Sequence, residues 1–276
     1  MRSRNARIAG VLPLIVAGFV ATPAQAQALQ DDFWLQVTGF WANVDTDVQV
    51  SSVDDPTIGT EIDLEEDLGL DDNSLLLAIV GGARLGSGFS VGAEYYALGR
   101  DSTNTITRDI VIDDVTYPAN IELTSGFDTD IYRVTVGWAF VQNETFEAGG
   151  AIGLFATDIS LTIEGQGTAN GGPVTIQQRR QDFLAPLPTI GLFANWQVAP
   201  RLTAGARLDF LSLSIDDYDG RLINAQAQIA YRFTENFGAG IMYRYVDYRV
   251  DVEKPEYTGR FSYEFNGPAV FLEVGF

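Results

Sequence analysis

Among its 276 residues the sequence has no cysteine and no histidine. Without thiols no disulfide can staple the fold, and without thiolate or imidazole the common transition-metal sites and every histidine-dependent catalytic arrangement are excluded. Basic residues are scarce: 17 Lys and Arg stand against 37 Asp and Glu, a net charge of −20. Such a chain would be repelled by phosphate backbones, which argues against nucleic acid as a partner. Also missing is an apolar run of the roughly 20 residues that a membrane-crossing helix needs. The run from Ile8 to Ala21 is shorter and holds Pro13. If this chain enters a membrane it must do so as a closed barrel, because strands satisfy their backbone polar groups only when no edge is left open.

The first residues have a different purpose. Met1 to Arg7 carry three arginines and no acid, the apolar run follows, and Ala24-Gln25-Ala26 supplies the small residues of an A-x-A cleavage site. That is the layout of a secretory signal peptide. Residues 1–26 are expected to be removed near Ala26, leaving 27–276 as one domain with a charge of −23 once the three arginines are lost.

What is present suits strands: 28 glycines, 12% aromatics, and frequent Thr, Val and Ile. Ten segments alternate with period 2 between turn signals, at 32–44, 73–85, 89–100, 130–141, 146–159, 184–198, 202–214, 222–233, 237–249 and 263–276. Short turns such as Gly86-Ser87-Gly88 and Ala199-Pro200-Arg201 alternate with longer links at 45–72, 101–129, 160–183, 215–221 and 250–262. This asymmetry, with an even strand number, predicts an all-β, closed antiparallel transmembrane β-barrel of about ten strands, with eight or twelve as alternatives. The 101–129 link is expected to hold a hairpin, Thr103–Ile112 against Val115–Thr124, standing above the membrane. Pro186 and Pro188 are awkward in a closed sheet, so pairing of the sixth strand is expected to stop near Pro188.

One parity of each segment is apolar, for example Leu35, Val37 and Trp41, or Tyr132, Val134, Val136 and Trp138. Aromatic residues gather at both ends of that face, as they do at two membrane–water interfaces. Charges fall on the other parity: Arg84, Glu94, Arg133, Glu147, Arg207, Asp209, Arg232, Arg244 and Glu273. A basic residue facing lipid at mid-bilayer costs about 2–4 kcal/mol, so the uncharged face should look outward and these nine residues should line the lumen. They would either sort ions in a pore or pair across a narrow lumen and fill it.

The ending Val270-Phe271-Leu272-Glu273-Val274-Gly275-Phe276 resembles the C-terminal signature of bacterial outer-membrane, porin-like barrel proteins. The resemblance implies an outer-membrane location in a Gram-negative cell envelope, contact with outer-membrane lipids, and recognition of Val270, Leu272, Val274 and Phe276 by the barrel-assembly machinery. A second stretch, Gly59-Thr60-Glu61-Ile62-Asp63-Leu64-Glu65-Glu66-Asp67-Leu68-Gly69-Leu70 with Tyr95-Tyr96-Ala97-Leu98-Gly99-Arg100, is similar to a pattern in an uncharacterised proteobacterial group of such barrels. That likeness implies no activity. Barrel enzymes of the outer membrane generally use an active-site histidine, which this chain lacks, so no enzyme, no catalytic residue and no cofactor is expected. The acidic loop 45–72 has divalent cations as a candidate partner, with a solvated loop as the plainer alternative and no calcium-loop spacing to favour the metal. The expected function is a structural or cell-surface interaction role, with a narrow porin-like channel for passive solute transport as the alternative.

Overall fold

The computed structural model describes residues 31–52, 61–112, 115–169, 172–215, 218–253 and 257–276; the signal peptide expected at 1–26 lies outside them. Thirteen strands are described in chain order: β1 (Phe33–Ser52), β2 (Glu61–Asp63), β3 (Asn73–Gly86), β4 (Phe89–Thr105), β5 (Ile110–Ile112), β6 (Val115–Tyr117), β7 (Glu122–Gln142), β8 (Phe146–Ala169), β9 (Gly172–Ala199), β10 (Leu202–Ile215), β11 (Tyr218–Arg232), β12 (Phe237–Glu253) and β13 (Tyr257–Gly275). Ten of them close an antiparallel ring, β1-β3-β4-β7-β8-β9-β10-β11-β12-β13, with β13 returning to β1. The Phe276 carbonyl accepts from the Asp32 and Phe33 amides, so the chain end completes the closure.

Following paired residues once around from Phe33 leads back to β1 at Asp45, a stagger of twelve residues. With ordinary strand rise and spacing, ten strands at that stagger tilt by about 40° and give a backbone radius of about 10 Å. The outward apolar band runs over nine residues in each of three strands (Phe33 to Trp41, Tyr132 to Phe140, Phe237 to Tyr245), which at that tilt is about 20 Å of height, close to the ~25 Å band of membrane barrels. Within it every large outward side chain is apolar or aromatic. The outside is therefore that of a membrane-spanning barrel.

Val136 stands at the middle of this band. Val136→Arg is expected to destabilise by about 2–4 kcal/mol. Asp128→Arg, on the same outward parity but beyond the girdle, should change stability by under about 0.5 kcal/mol. Urea unfolding in lipid vesicles reads both, and equal losses would reverse the assigned orientation.

Above the outer girdle the strands continue, and here the structure corrects the expected strand limits. The links 45–72, 101–129, 160–183, 215–221 and 250–262 consist largely of paired strand, as in Asp45↔Glu264, Thr103↔Thr124 and Ser160↔Asp182. The reason is an inversion of polarity. Below Trp41 the outward side of β1 is apolar and the inward side holds Gln36 and Thr38; from Phe40 upward the inward residues Phe40, Ala42 and Val44 are apolar, while above Trp41 Asn43 and Asp45 face out. Beyond the bilayer water replaces lipid outside, so the apolar parity moves to the inside. The β5–β6 hairpin is correspondingly shorter than expected, since Thr103–Thr105 and Glu122–Thr124 belong to the barrel ladder. Its Ile106, Ile110 and Tyr117 are buried in the outer core.

Pairing of β9 does not simply stop at Pro188. Along β8 it runs through Leu154↔Pro188 and Ala156↔Pro186, while along β10 it ends at Phe210↔Ile190. Prolines two residues apart present their nitrogens to the same edge, and the β10 edge is where the ladder stops. Two close approaches inside the wall require glycine. A Cβ at Gly82 would lie 2.2 Å from the Trp34 ring, and one at Gly240 2.2 Å from the Phe271 ring.

Candidate functional site

The lumen is layered along the barrel axis. At the short-turn end Arg84 donates to both carboxylate oxygens of Glu147 (2.8 and 3.1 Å), which also accepts from Asn195 at 2.8 Å. Beside it Arg232 pairs with Glu273 at 3.2 Å and with Asp31. Burial raises the Asp31 carboxyl above its ordinary range, against the pull of Arg232.

The central layer is drier. Glu94 bridges Arg133 (2.7 Å) and Arg244 (2.5 Å), and Asp209 bridges Arg133 (2.7 Å) and Arg207 (2.8 Å). Asn224 closes the circuit, donating to Asp209 at 3.0 Å and accepting from Arg244 Nε at 2.9 Å. Register explains the meeting: Glu94 is the cross-strand partner of Arg133, and Asp209 of Asn224. The Arg244 guanidinium also lies 4.9 Å from the centre of the Tyr96 ring, at cation–π distance. All nine charges expected in the lumen fall in these two layers. Below the central layer is a cavity of about 230 Å³; a smaller one of about 40 Å³ lies under Tyr96 and Met242.

Above the ions the lumen is apolar. Phe40, Tyr96, Phe265, Tyr263 and Phe127 are buried: the first two and Tyr263 each meet the Phe265 ring, and Phe127 meets Tyr263, with centroids 5.1 to 6.0 Å apart. Desolvation pushes the Tyr263 hydroxyl up to about 12. The segment after β2 then enters from above, with Leu64, Leu68 and Leu70 each buried. Arg100 latches it: the guanidinium pairs with Glu65, donates to Thr46 Oγ1 at 2.7 Å and to the Asp71 carbonyl at 3.1 Å, and sits 5.3 Å from the Phe127 ring centre. Arg108, from the segment before β5, pairs with Asp67 and donates to the Glu61 carbonyl at 2.7 Å. The Asp67 carboxylate holds the Arg108 pKa above its ordinary value.

This corrects the picture of 45–72 as a solvated acidic loop. Its first residues are strand, and Glu65 and Asp67 are ion-paired. Asp63 accepts from the Glu65 and Glu66 amides (3.0 and 2.7 Å). Asp47 is raised above the usual carboxylate range, first by burial and then by Asp45 and Asp63. Among the described residues no group of three or more carboxylates is placed to hold a metal ion. Asp54 and Asp55 lie outside the described residues. The two halves of the Gly59–Leu70 and Tyr95–Arg100 pattern meet in space, since Glu65 and Arg100 pair.

Sequence reasoning did not single out Asp31, Asn224, Arg100 or Arg108 as site residues, and read Glu65 as one of the acids of the 45–72 loop that could meet a divalent cation. Arg100 was accessible to it, being on the inward parity of Glu94, Tyr96 and Leu98. Asp31 precedes the first alternating residue and carried no signal. Of the C-terminal residues, Val270, Leu272 and Phe276 are exposed on the outer face and Val274 is partly so.

No family model matches the chain, and no curated protein matches it by sequence. Solved structures do resemble it. The outer membrane protease OmpT from Escherichia coli aligns over 90% of this chain and 98% of its own, at 11% identity and a TM-score of 0.58. The transport unit of the autotransporter AIDA-I from Escherichia coli covers 91% and 95%, at 10% identity and a TM-score of 0.41. The toluene transporter TodX of Pseudomonas putida covers 93% of each chain, at 11% identity and a TM-score of 0.37. At such identities the likeness concerns the fold alone, and the first of these supports the closed antiparallel β-barrel of this chain.

Proposed function

We propose that this protein is a non-conducting barrel of the bacterial outer membrane whose task is structural or interaction-based at the cell surface. The observation that carries this reading is the filled lumen: an ion-paired layer across the middle and a packed aromatic and leucine core above it. Outer-membrane lipids would cover the apolar band. The leader would be cleaved near Ala26, and Val270, Leu272, Val274 and Phe276 would be presented to the barrel-assembly machinery. The outer halves of the strands, roofed by the segments after β2 and around β5–β6, form a rigid acidic platform suited to contact with other molecules.

A catalytic role finds no support in the chemistry, because among the described residues the charged side chains of the lumen are paired with one another and no lumen nucleophile is set beside a free base. Divalent cations at the acidic loop are not favoured either, since Glu65 and Asp67 already have guanidinium partners. The channel reading is the one to test. Reconstituted in a planar bilayer, the protein should give no single-channel steps at 100 mV. Stable steps of uniform size would overturn the closed barrel and restore passive solute transport.

A further inference from the structure

The lumen charges balance in number but not in position. Five arginines meet five acids when Asp31 is counted, yet the surplus acid lies at the rim with Arg84, Arg232, Glu147 and Glu273. The surplus base lies in the centre, where among the described residues Arg133, Arg207 and Arg244 are paired with Glu94 and Asp209 alone. A net positive charge in a low-dielectric layer is costly unless a counter-charge reaches it.

Arg207 is the member with capacity to spare. Its Nε and Nη2 both go to Asp209, a carboxylate it shares with Arg133, and its side chain keeps 18% of its surface open. The cavity of about 230 Å³ lies against it and reaches the short-turn end past Asp31 and Arg232. Directly across the β10–β11 ladder from Arg207 stands Gln226, with Gln228 two residues on, so this part of the wall offers neutral amide donors, while the acids that line the cavity, Asp31, Glu94, Glu147 and Glu273, are each already paired with an arginine.

We propose that this blind cavity is a binding site for a small monoanion, a carboxylate or a halide, held by Arg207 with the amides of Gln226 and Gln228. Its entrance faces the side of the short turns, so the ligand would come from the periplasm. Such an anion completes the central layer by one unit of charge.

The test uses the full-length protein folded in detergent, and acetate and bromide as probes. The melting temperature of the wild type should rise with sodium acetate, by about 4 °C at a tenfold excess over its Kd. Arg207→Gln should lose this response. Gln226→Glu, which places a carboxylate opposite the guanidinium, should melt higher than the wild type in acetate-free buffer and gain nothing further from acetate. Crystals grown in sodium bromide should show an anomalous peak beside Arg207. Equal acetate responses in all three proteins would overturn the site. If either variant fails to fold, the bromide peak decides: its presence at Arg207 upholds the site and its absence removes it.

Discussion

Glu94→Ala should cost about 3–5 kcal/mol of folding free energy, measured by urea unfolding in lipid vesicles. Glu94 is the only carboxylate paired with Arg244 among the described residues, and one of two paired with Arg133. Removing it leaves the buried Arg244 with no carboxylate and the Asn224 amide as its hydrogen-bond acceptor, and leaves Arg133 sharing Asp209 with Arg207. The loss measures the stranded charge more than the worth of the pair. A double variant should show this: Glu94→Leu with Arg244→Met removes the charge together with its partner and should recover most of the stability, because exchanging a buried pair for apolar residues of similar volume is often neutral. The two substitutions then couple strongly, as expected for side chains in one network. A double variant as unstable as the sum of its parts would mean that the layer stabilises by geometry other than this pair.

The same residues show how much of the molecule was legible beforehand. The membrane band was fully readable, because lipid outside and ions inside impose one parity rule on all ten strands. Arg133 could be assigned inward from Tyr132, Val134 and Val136 alone. Its partners could not, since pairing Glu94 with Arg133 requires the register between β4 and β7, and register follows from the stagger of the whole ring. The upper half of the barrel was hidden for a different reason. Above Trp41 and Tyr132 the inward parity becomes apolar, as in Ile131, Phe127 and Leu123, while Asp130 and Asp128 face out. A search for a continuing apolar outer face therefore stops at the girdle and takes the rest for loop. Leu64, Leu68 and Leu70 were hidden by the acids between them, whose charge suggested solvent although Arg100 and Arg108 wait to receive two of them.

The inversion also implies that the two halves of the lumen are closed by independent means, and Phe265→Ala tests that. Phe265 is buried at the floor of the outer core, with ring contacts to Phe40 (6.0 Å), Tyr96 (5.9 Å) and Tyr263 (5.1 Å), and is paired in the ladder with Val44 and Val246. Truncation removes a whole ring from a site walled by strands that cannot collapse inward, so the cost should reach about 3–5 kcal/mol. The damage should stay local. Amide exchange is expected to accelerate in the outer halves of β1, β12 and β13, while amides around Val136 and Ile152 remain protected. Ion conductance should remain absent, because the Glu94–Arg133–Arg244 layer below is untouched; likewise Glu94→Ala leaves the aromatic core in place. Only the combination of Phe265→Ala with Glu94→Ala opens both closures in series, and that protein should show single-channel steps where each parent is silent. Conductance in either single variant would mean that one layer alone seals the barrel, and the other is packing without a barrier role.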